Sequence, residues 1–175
     1  MSLRGRGGAL AKTLLFTVLV PATVTVYVPR RILLSRSQDD VLPIGPLRYV
    51  GAALLATGAA VYLWCAWDFA TAGLGTPAPI DPPKSLVARG LYRHVRNPMY
   101  LGILLLLGGE ALFFRSRALL VYAGLVFLIF FLFVVGSEEP ALRRKFGQAY
   151  ERYCDRVPRW IPQLRTDRGG RSEGR

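Results

Sequence analysis

The chain has 175 residues, a length typical of one domain, and 52% of them are hydrophobic although the formal net charge is +12. The apolar residues gather into four blocks with nearly all charges between them, a pattern that excludes an ordinary soluble domain built from short periodic apolar runs. Nucleic-acid binding is a poor explanation of the charge, because no soluble module remains outside the blocks to carry it.

The four apolar blocks predict four membrane-spanning helices. A helix needs about 20 apolar residues to cross the hydrocarbon core, and its backbone polar groups must be paired within the segment. The second and fourth blocks are long enough alone, and the first and third become so with their flanks. The predicted fold is therefore an all-α integral membrane protein with spans at about 9–34, 47–70, 98–114 and 118–136.

The segments around the first three spans carry clear boundary signals. The first span is predicted to be retained, because its uncharged run at 13–28 is followed by Pro29-Arg30-Arg31 in place of the small-residue cleavage site of a signal peptide. After the second span, residues 73–83 contain too much glycine and proline for a regular helix. Asn97-Pro98 then predicts the start of the third span, with asparagine as N-cap and proline at the first helical position.

The C-terminal region predicts one more helix. Ser137-Glu138-Glu139-Pro140 indicates a helix start, with Ser137 as the cap and acids in the first turn. Apolar residues then recur at helical spacing, so we expect an amphipathic cytoplasmic helix over about 138–153. Residues 165–175 are polar and are predicted to be a disordered tail of a single membrane domain spanning 1–175.

The basic residues predict the orientation. The N-terminus, the loop between spans two and three, and the region from Arg143 onward hold 3, 4 and 10 lysines and arginines, whereas the two loops on the other side hold 4 and 2. Such an excess marks the cytoplasmic side, so both termini of this multi-pass protein are predicted to be cytoplasmic. The same charge favours contact with anionic lipid headgroups. Nothing in the sequence predicts an oligomeric state.

Topology alone predicts a site on the cytoplasmic side. The tight turn at residues 115–117 makes spans three and four antiparallel, which brings residues 97–100 close to Glu138 and Glu139. A helix N-terminus favours an anion, a glutamate pair favours a cation, and the tyrosines nearby offer rings for stacking. This combination suits a zwitterionic, cationic, adenosine-bearing ligand. No metal site is predicted, since the chain has one histidine and no paired cysteines.

Two further acids fall near the ends of predicted spans. An acid inside a membrane protein is a functional hypothesis by default. Glu110 is predicted to pair with Arg115 or Arg117 on the far side, whereas Asp68 is a candidate to line the cytoplasmic site.

The motifs of the second half resemble those of the integral membrane methyltransferase superfamily, which includes isoprenylcysteine carboxyl methyltransferases and phosphatidylethanolamine N-methyltransferases. The resemblance covers residues 73–162, in order and at similar spacing. The residues that carry it are Leu86-Val87, Gly90-Leu91-Tyr92, Arg96-Asn97-Pro98-Met99-Tyr100-Leu101-Gly102, Glu138-Glu139, Phe146-Gly147, Tyr150, Tyr153 and Val157-Pro158.

The resemblance implies an S-adenosylmethionine site in a membrane-embedded pocket that is not a Rossmann fold, with S-adenosylhomocysteine as the product. It implies catalytic roles for Glu138, Glu139 and Tyr100. Tyr150, Arg159 and Trp160 are candidates to contact the substrate. The residues implied in cofactor binding are Lys84, Ser85, Leu86, Val87, Tyr92, Arg96, Asn97, Pro98, Met99, Tyr100 and Glu138.

Two departures from the carboxyl methyltransferases bear on the methyl acceptor. Asn97 stands where those enzymes typically have histidine, and Val134 stands where they carry an arginine about one turn before the glutamates. The sequence therefore favours a methyltransferase acting on a phospholipid-type amine. Three alternatives remain open: an isoprenylcysteine-type carboxyl O-methyltransferase, an NADPH-dependent membrane reductase of similar C-terminal architecture, and a non-enzymatic membrane protein.

Overall fold

The computed structural model describes residues 19–72 and 89–163, and within them the chain is all helical apart from turns and one isolated bridge between Val41 and Ser116. The described part begins in helix at Leu19, and the helix that starts at Arg117 continues without a break to Phe146. In chain order the elements are a π turn (Thr23–Tyr27), α1 (Val28–Leu34), 3-10 turns (Gln38–Asp40 and Gly45–Leu47), α2 (Arg48–Ala72), a 3-10 turn (Gly90–Arg93), α3 (Pro98–Phe113), α4 (Arg117–Phe133), a second π turn (Val134–Glu138), α5 (Glu139–Phe146) and α6 (Gln148–Arg156).

Two helical stretches are long and apolar enough to cross a membrane, Gly45–Asp68 with 24 residues and Arg117–Phe146 with 30. The apolar helix α3 is shorter, and residues 9–18 of the predicted first span lie outside the described part. Many large apolar side chains of α2 and α4, such as Trp67, Val121 and Ile129, are exposed. Exposed apolar belts of this kind are expected where lipid is the solvent.

Glycines allow α2 and α3 to approach each other closely along an antiparallel pair. A Cβ atom at Gly58 would lie 2.8 Å from the backbone oxygen of Gly102, and one at Gly109 would lie 2.8 Å from the backbone nitrogen of Leu55. Gly51 faces Gly109 in the same way, one heptad before Gly58. Small residues that bring backbones together are a common means of helix association in membranes, because dispersion and packing replace the missing hydrophobic driving force.

The remaining core joins α3 to α4 and to the first π turn. Ile103, Leu107 and Val126 are buried against one another, with Phe130 packed at their edge. The Tyr122 hydroxyl donates to the backbone oxygen of Val24 at 3.0 Å. That bond satisfies a carbonyl of the π turn and ties α4 to the first helical stretch.

At the end of the bundle remote from residue 97, a polar knot connects the loop after α1 to the turn before α4. Asp40 accepts from the backbone nitrogen of Ala118 at 2.7 Å and from the Ser116 hydroxyl, while Ser116 itself caps α4 by accepting from Leu119. The hydrogen bond from Ser116 lowers the pKa of Asp40, and the Ala118 bond and the charge of Arg36 act in the same direction.

The predicted pairing of Glu110 with Arg115 or Arg117 is not formed in the described residues. Oε2 of Glu110 is buried without a hydrogen-bond partner there, and Nε of Arg115 donates instead to the backbone oxygen of Leu42 at 2.9 Å. The backbone of Arg115, at φ 55°, turns its side chain towards the loop after α1.

The region after Val134 differs from its prediction in two ways. Ser137 does not cap a new helix, because it lies inside the π turn through which α4 continues into α5. The single helix predicted over about 138–153 is instead two helices, separated at Gly147. Gly147 has φ 51°, a left-handed conformation that favours glycine and ends α5.

Candidate functional site

The predicted approach of α3 to the glutamate pair is confirmed. The Tyr100 hydroxyl, in the first turn of α3, donates to Oε2 of Glu138 at 3.1 Å. The Tyr100 ring packs on Phe130 of α4, with the ring centroids 4.7 Å apart. The antiparallel turn between α3 and α4 thus brings together two residues that lie 38 positions apart in sequence.

Glu139, the neighbour of Glu138, lies in a different environment. Arg159 binds it with two hydrogen bonds, from Nε to Oε1 at 2.6 Å and from Nη2 to Oε2 at 2.9 Å. Arg96 adds a third bond to Oε1 at 3.0 Å. Only 7% of the Glu139 side chain is exposed. Two guanidinium groups therefore neutralise one buried carboxylate, and the bonds from Arg159 have the two-pronged geometry that carboxylates favour.

The segment from Val157 to Gln163, here called the strap, runs beside the residues that precede α3. The backbone nitrogen of Arg96 donates to the oxygen of Pro158 at 2.9 Å, and that of Gln163 donates to the oxygen of His94 at 3.0 Å. Asn97 is at the N-cap position of α3, but its side chain makes no capping bond and donates to the backbone oxygen of Arg159 at 3.2 Å. Asn97 therefore fixes the strap.

Tyr92 occupies the centre of a partly buried polar cluster made of Cys65, Asp68, Tyr92, Tyr100 and Glu138. Burial raises the pKa of the Tyr92 hydroxyl well above its usual value, and negative charge on Cys65, Glu138 and Tyr100 raises it further. Cys65, on α2, forms a side-chain hydrogen bond with Tyr92 and lies beside Asp68. The cluster thus joins α2, the turn before α3, the start of α3 and the second π turn.

Two tyrosines of α6, Tyr150 and Tyr153, lie beside the arginines that bind Glu139. The Tyr153 hydroxyl donates to the backbone oxygen of Tyr92 at 2.7 Å, and burial raises its pKa. Burial likewise raises the pKa of Tyr150, whose charged form would also be disfavoured by Cys154 and Glu139. Cys154 accepts from Nη1 of Arg96 at 3.0 Å. Glu139 raises the pKa of Arg159, so the ion pair keeps its charges.

Three buried polar atoms around the site have no hydrogen-bond partner in the described residues: Oδ2 of Asp68, Nε of Arg96 and Nε1 of Trp160. The Trp160 ring meets Phe127 edge to face, with centroids 5.5 Å apart. A buried polar atom without a partner costs free energy, so two such donors and one such acceptor are compatible with a ligand that has groups of both signs.

The structure brings together most of the residues singled out from the sequence. Tyr100 bonds to Glu138, Arg96 bonds to Glu139, and Asn97 bonds to the backbone of Arg159, which also binds Glu139. Tyr92 lies within electrostatic reach of Glu138 and Tyr100, and Pro98 and Met99 lie in the first turn of α3. Of the substrate candidates, Arg159 binds Glu139, Tyr150 lies close to Glu139, and Trp160 packs on Phe127. The other cofactor-binding candidates lie outside the described residues: Lys84, Ser85, Leu86 and Val87.

The sequence interpretation missed the role of Arg159 as a partner of Glu139 and the place of Cys65 in the cluster. Arg159 follows a proline in a basic region, which gave no signal of its partner. Cys65 follows Gly51 and Gly58 at the same seven-residue interval, a sign that position 65 faces α3 as well. It is fully buried.

Comparison with known proteins decides the family. The family model for phospholipid methyltransferases matches residues 47–149, which is more than half of the chain. The chain belongs to the phospholipid methyltransferase family. The match extends from the start of α2 to α6 and so includes both glutamates and the turn before α3.

A member of the wider superfamily is also similar to this chain. The protein-S-isoprenylcysteine O-methyltransferase of Schizosaccharomyces pombe is 34% identical over 79 residues, 45% of this chain and 34% of that relative. The matched stretch therefore spans about a third of the relative's length. Together with the family model, it supports the predicted resemblance to membrane methyltransferases.

Proposed function

We propose that this phospholipid methyltransferase family member transfers a methyl group from S-adenosylmethionine to a lipid-borne acceptor, and that the acceptor is an amine. The observation that carries the proposal is the division of the glutamate pair. Glu138 bonds to the neutral hydroxyl of Tyr100, whereas Glu139 is neutralised by two guanidinium groups. Glu138 is therefore the member of the pair that is available to a cation.

The residues present fit S-adenosylmethionine. Glu138 and the Tyr100 hydroxyl would face the cationic groups of the cofactor, and the start of α3 would face its carboxylate. Tyr92 and residues 84–87 would line the adenosine side. When bound, the cofactor supplies an electrophilic methyl group on sulfur, and S-adenosylhomocysteine is its product. The protein's own residues orient the ligands and exclude water, which are the main contributions to such a reaction.

The arginine contacts favour an amine acceptor over a carboxylate. A carboxylate substrate needs a cation to hold it, and Glu139 already takes up one of the two positive charges of Arg96 and Arg159. Val134, at the position where carboxyl methyltransferases carry arginine, is buried and apolar. The O-methyltransferase relative keeps a carboxylate acceptor as the second candidate.

We propose further that the chain crosses the membrane four times with both termini in the cytoplasm. The two long apolar helices support two of the spans, and the basic residues support the orientation. The site would then lie at the inner surface, where an acceptor with an apolar tail enters sideways from the lipid and anionic headgroups contact the basic C-terminal region.

Calorimetric titration of the detergent-purified protein with S-adenosylhomocysteine tests the cofactor assignment. We expect saturable binding that Glu138→Ala abolishes, because the variant removes the carboxylate facing the cofactor. Glu110→Ala, which removes an acid from the other end of α3, should leave the affinity nearly unchanged. Equal losses in both variants would mean that the site is misplaced.

The acceptor class is tested by offering the protein labelled S-adenosylmethionine with phosphatidylethanolamine or with a prenylated cysteine. Label in the phospholipid supports the amine assignment, and label in the prenylcysteine supports the carboxylate candidate. If the folded protein does not bind S-adenosylhomocysteine at all, the reductase and non-enzymatic alternatives return, and NADPH is titrated next.

A further inference from the structure

Asp68, near the end of α2, is a carboxylate with no ion pair among the described residues. Its Oδ2 atom is buried and has no hydrogen-bond partner in the part of the chain that the structure describes. The guanidinium group of Arg89 lies close by, but it donates to the backbone oxygen of Asp68, at 3.1 Å, rather than to the carboxylate. A buried carboxylate oxygen without a partner is costly unless a cation or a proton completes it.

The absence of a side chain at Gly90 leaves room for the Asp68 carboxylate. Gly90 has φ 56°, and a Cβ atom there would collide with Oδ2 of Asp68. The turn at Gly90–Arg93 therefore keeps its backbone against the carboxylate only because residue 90 lacks a side chain. The hydrogen bond from Arg89 and the bond between Tyr92 and Cys65 both hold this turn against the end of α2, which fixes the carboxylate beside Tyr92.

Asp68 also lies next to the proposed methyl-transfer site. It is one helical turn from Cys65, which bonds to Tyr92, and Tyr92 in turn lies within electrostatic reach of Glu138 and Tyr100. Trp64, four residues before Asp68 on the same face of α2, is largely exposed. Indole rings attract ammonium groups through their π electrons.

We propose that Asp68 binds the ammonium group of the acceptor lipid and accepts a proton from it. An N–H bond of the ammonium breaks and an O–H bond forms on the carboxylate, which leaves a neutral amine with a free electron pair. The proton later passes from Asp68 to water at the membrane surface. This assignment rests on the proposed amine acceptor. Glu138 then binds the cofactor and Asp68 binds the acceptor, whose ammonium group is the partner of Oδ2 of Asp68.

The test is lipid binding without cofactor, measured by native mass spectrometry of the detergent-purified protein. Phosphatidylethanolamine is compared with phosphatidylglycerol, which carries the phosphate but lacks the amine. The readout is the ratio of bound phosphatidylethanolamine to bound phosphatidylglycerol, since the anionic glycerol lipid also gains from the basic charge of the chain. Asp68→Asn should lower that ratio about tenfold to a hundredfold, the range expected for a hydrogen bond between charged groups. Asp155→Asn, an exposed acid on α6, is the matched control and should behave as wild type.

A second measurement uses the wild-type chain, so it does not depend on the folding of a variant. An apolar carbodiimide reacts with buried carboxyl groups, and the modified peptides identify them. Phosphatidylethanolamine should slow the modification of Asp68, whereas phosphatidylglycerol should not. Equal protection by both lipids, or an unchanged lipid preference in Asp68→Asn, would overturn the assignment.

S-adenosylhomocysteine affinity separates this proposal from the proposed function. Asp68→Asn should bind S-adenosylhomocysteine within about threefold of wild type, since Glu138 is the cofactor's carboxylate. If the variant loses the cofactor but keeps the lipid preference, Asp68 belongs to the cofactor and the inference is wrong. If wild type prefers the amine lipid through Asp68 but binds no cofactor, the ammonium site stands and the methyltransferase assignment fails.

Discussion

At the scale of single residues, Glu138 and Glu139 show how adjacent identical side chains acquire different roles. One is paired with a tyrosine hydroxyl and the other with two arginines, because successive positions on a helix point in different directions. The sequence interpretation named both glutamates as catalytic candidates. It had no means of finding the arginine partners, because Arg96 precedes Glu139 by 43 residues and Arg159 follows it by 20.

Removal of Glu139 should destabilise the protein strongly. Glu139→Ala leaves Arg96 and Arg159 without their anion in a largely buried place, a situation that costs about 3–5 kcal/mol. Arg159→Ala should cost less, since Arg96 still neutralises the carboxylate. Thermal unfolding in detergent measures both effects.

The exposed pair Arg143–Glu151, with side chains about half exposed, is the control. Arg143→Ala should change the unfolding free energy by about 0–1 kcal/mol, as is usual for surface ion pairs. A loss from Glu139→Ala no larger than this would show that the arginine pair contributes little to the fold.

At the scale of elements, the close pairing of α2 with α3 depends on particular glycines. Adjacent glycines in α3 provide a matched comparison, because a Cβ at Gly109 would meet the backbone of α2 whereas one at Gly108 would meet nothing within 4 Å. Gly109→Ala should force the helices apart and lower the unfolding temperature. Gly108→Ala should leave it unchanged or raise it, since alanine is favoured over glycine in a helix by about 1 kcal/mol.

The converse ranking of these two variants would mean that lipid or detergent, and not α2, limits the packing of α3. Circular dichroism followed during heating distinguishes the cases.

The elements could be predicted in large part because apolar blocks and boundary residues act locally. The start of α3 at Pro98 and the turn around Ser116 are where Asn97-Pro98 and the tight turn between spans placed them. Pairing between helices has no comparable local signal. The chain has 18 glycines, and only the seven-residue spacing of Gly51 with Gly58 and of Gly102 with Gly109 distinguishes those at the α2–α3 contact from those facing open space.

The π turn at Val134–Glu138 escaped prediction for a related reason. The glutamates and Pro140 are typical of a first helical turn, and Pro140 is indeed near the start of α5. The helix does not stop, however. Because it continues through the π turn, Val134 is buried in the core and Glu138 reaches the hydroxyl of Tyr100. Contacts with other helices therefore decided the local conformation.

At the scale of the whole molecule, the two ends of the bundle are held by different means. The end near residue 97 is held by the strap and the arginine pair, and the other end by the knot around Asp40. The knot connects segments that lie 78 residues apart, Asp40 and Ala118, and keeps the first helical stretch beside α4.

Acid should weaken this knot. The folded-state pKa of Asp40 is lowered from the ordinary value of 3.8, so its contribution to stability is fully present above that value and is lost as the pH falls through the folded pKa. Asp40→Ala should therefore lower the unfolding temperature at pH 7, and its difference from wild type should shrink below about pH 4. Asp39→Ala, which alters the exposed neighbour, serves as control.

A difference between Asp40→Ala and wild type that stayed constant down to pH 2 would locate the stabilisation in something other than the charge of Asp40. Unfolding curves of both proteins collected at several pH values give the comparison directly.

The second π turn shifts the side chains that follow it by one position around the helix axis. Each residue of a helix advances the side chains by about 100°, and a π turn absorbs one residue more than a regular turn. A straight path through the same residues would therefore set Ser137 opposite Tyr100 and Glu138 opposite the arginines. A slip of a single residue, with no change of composition, would exchange a carboxylate for a hydroxyl at the place where a cation is expected.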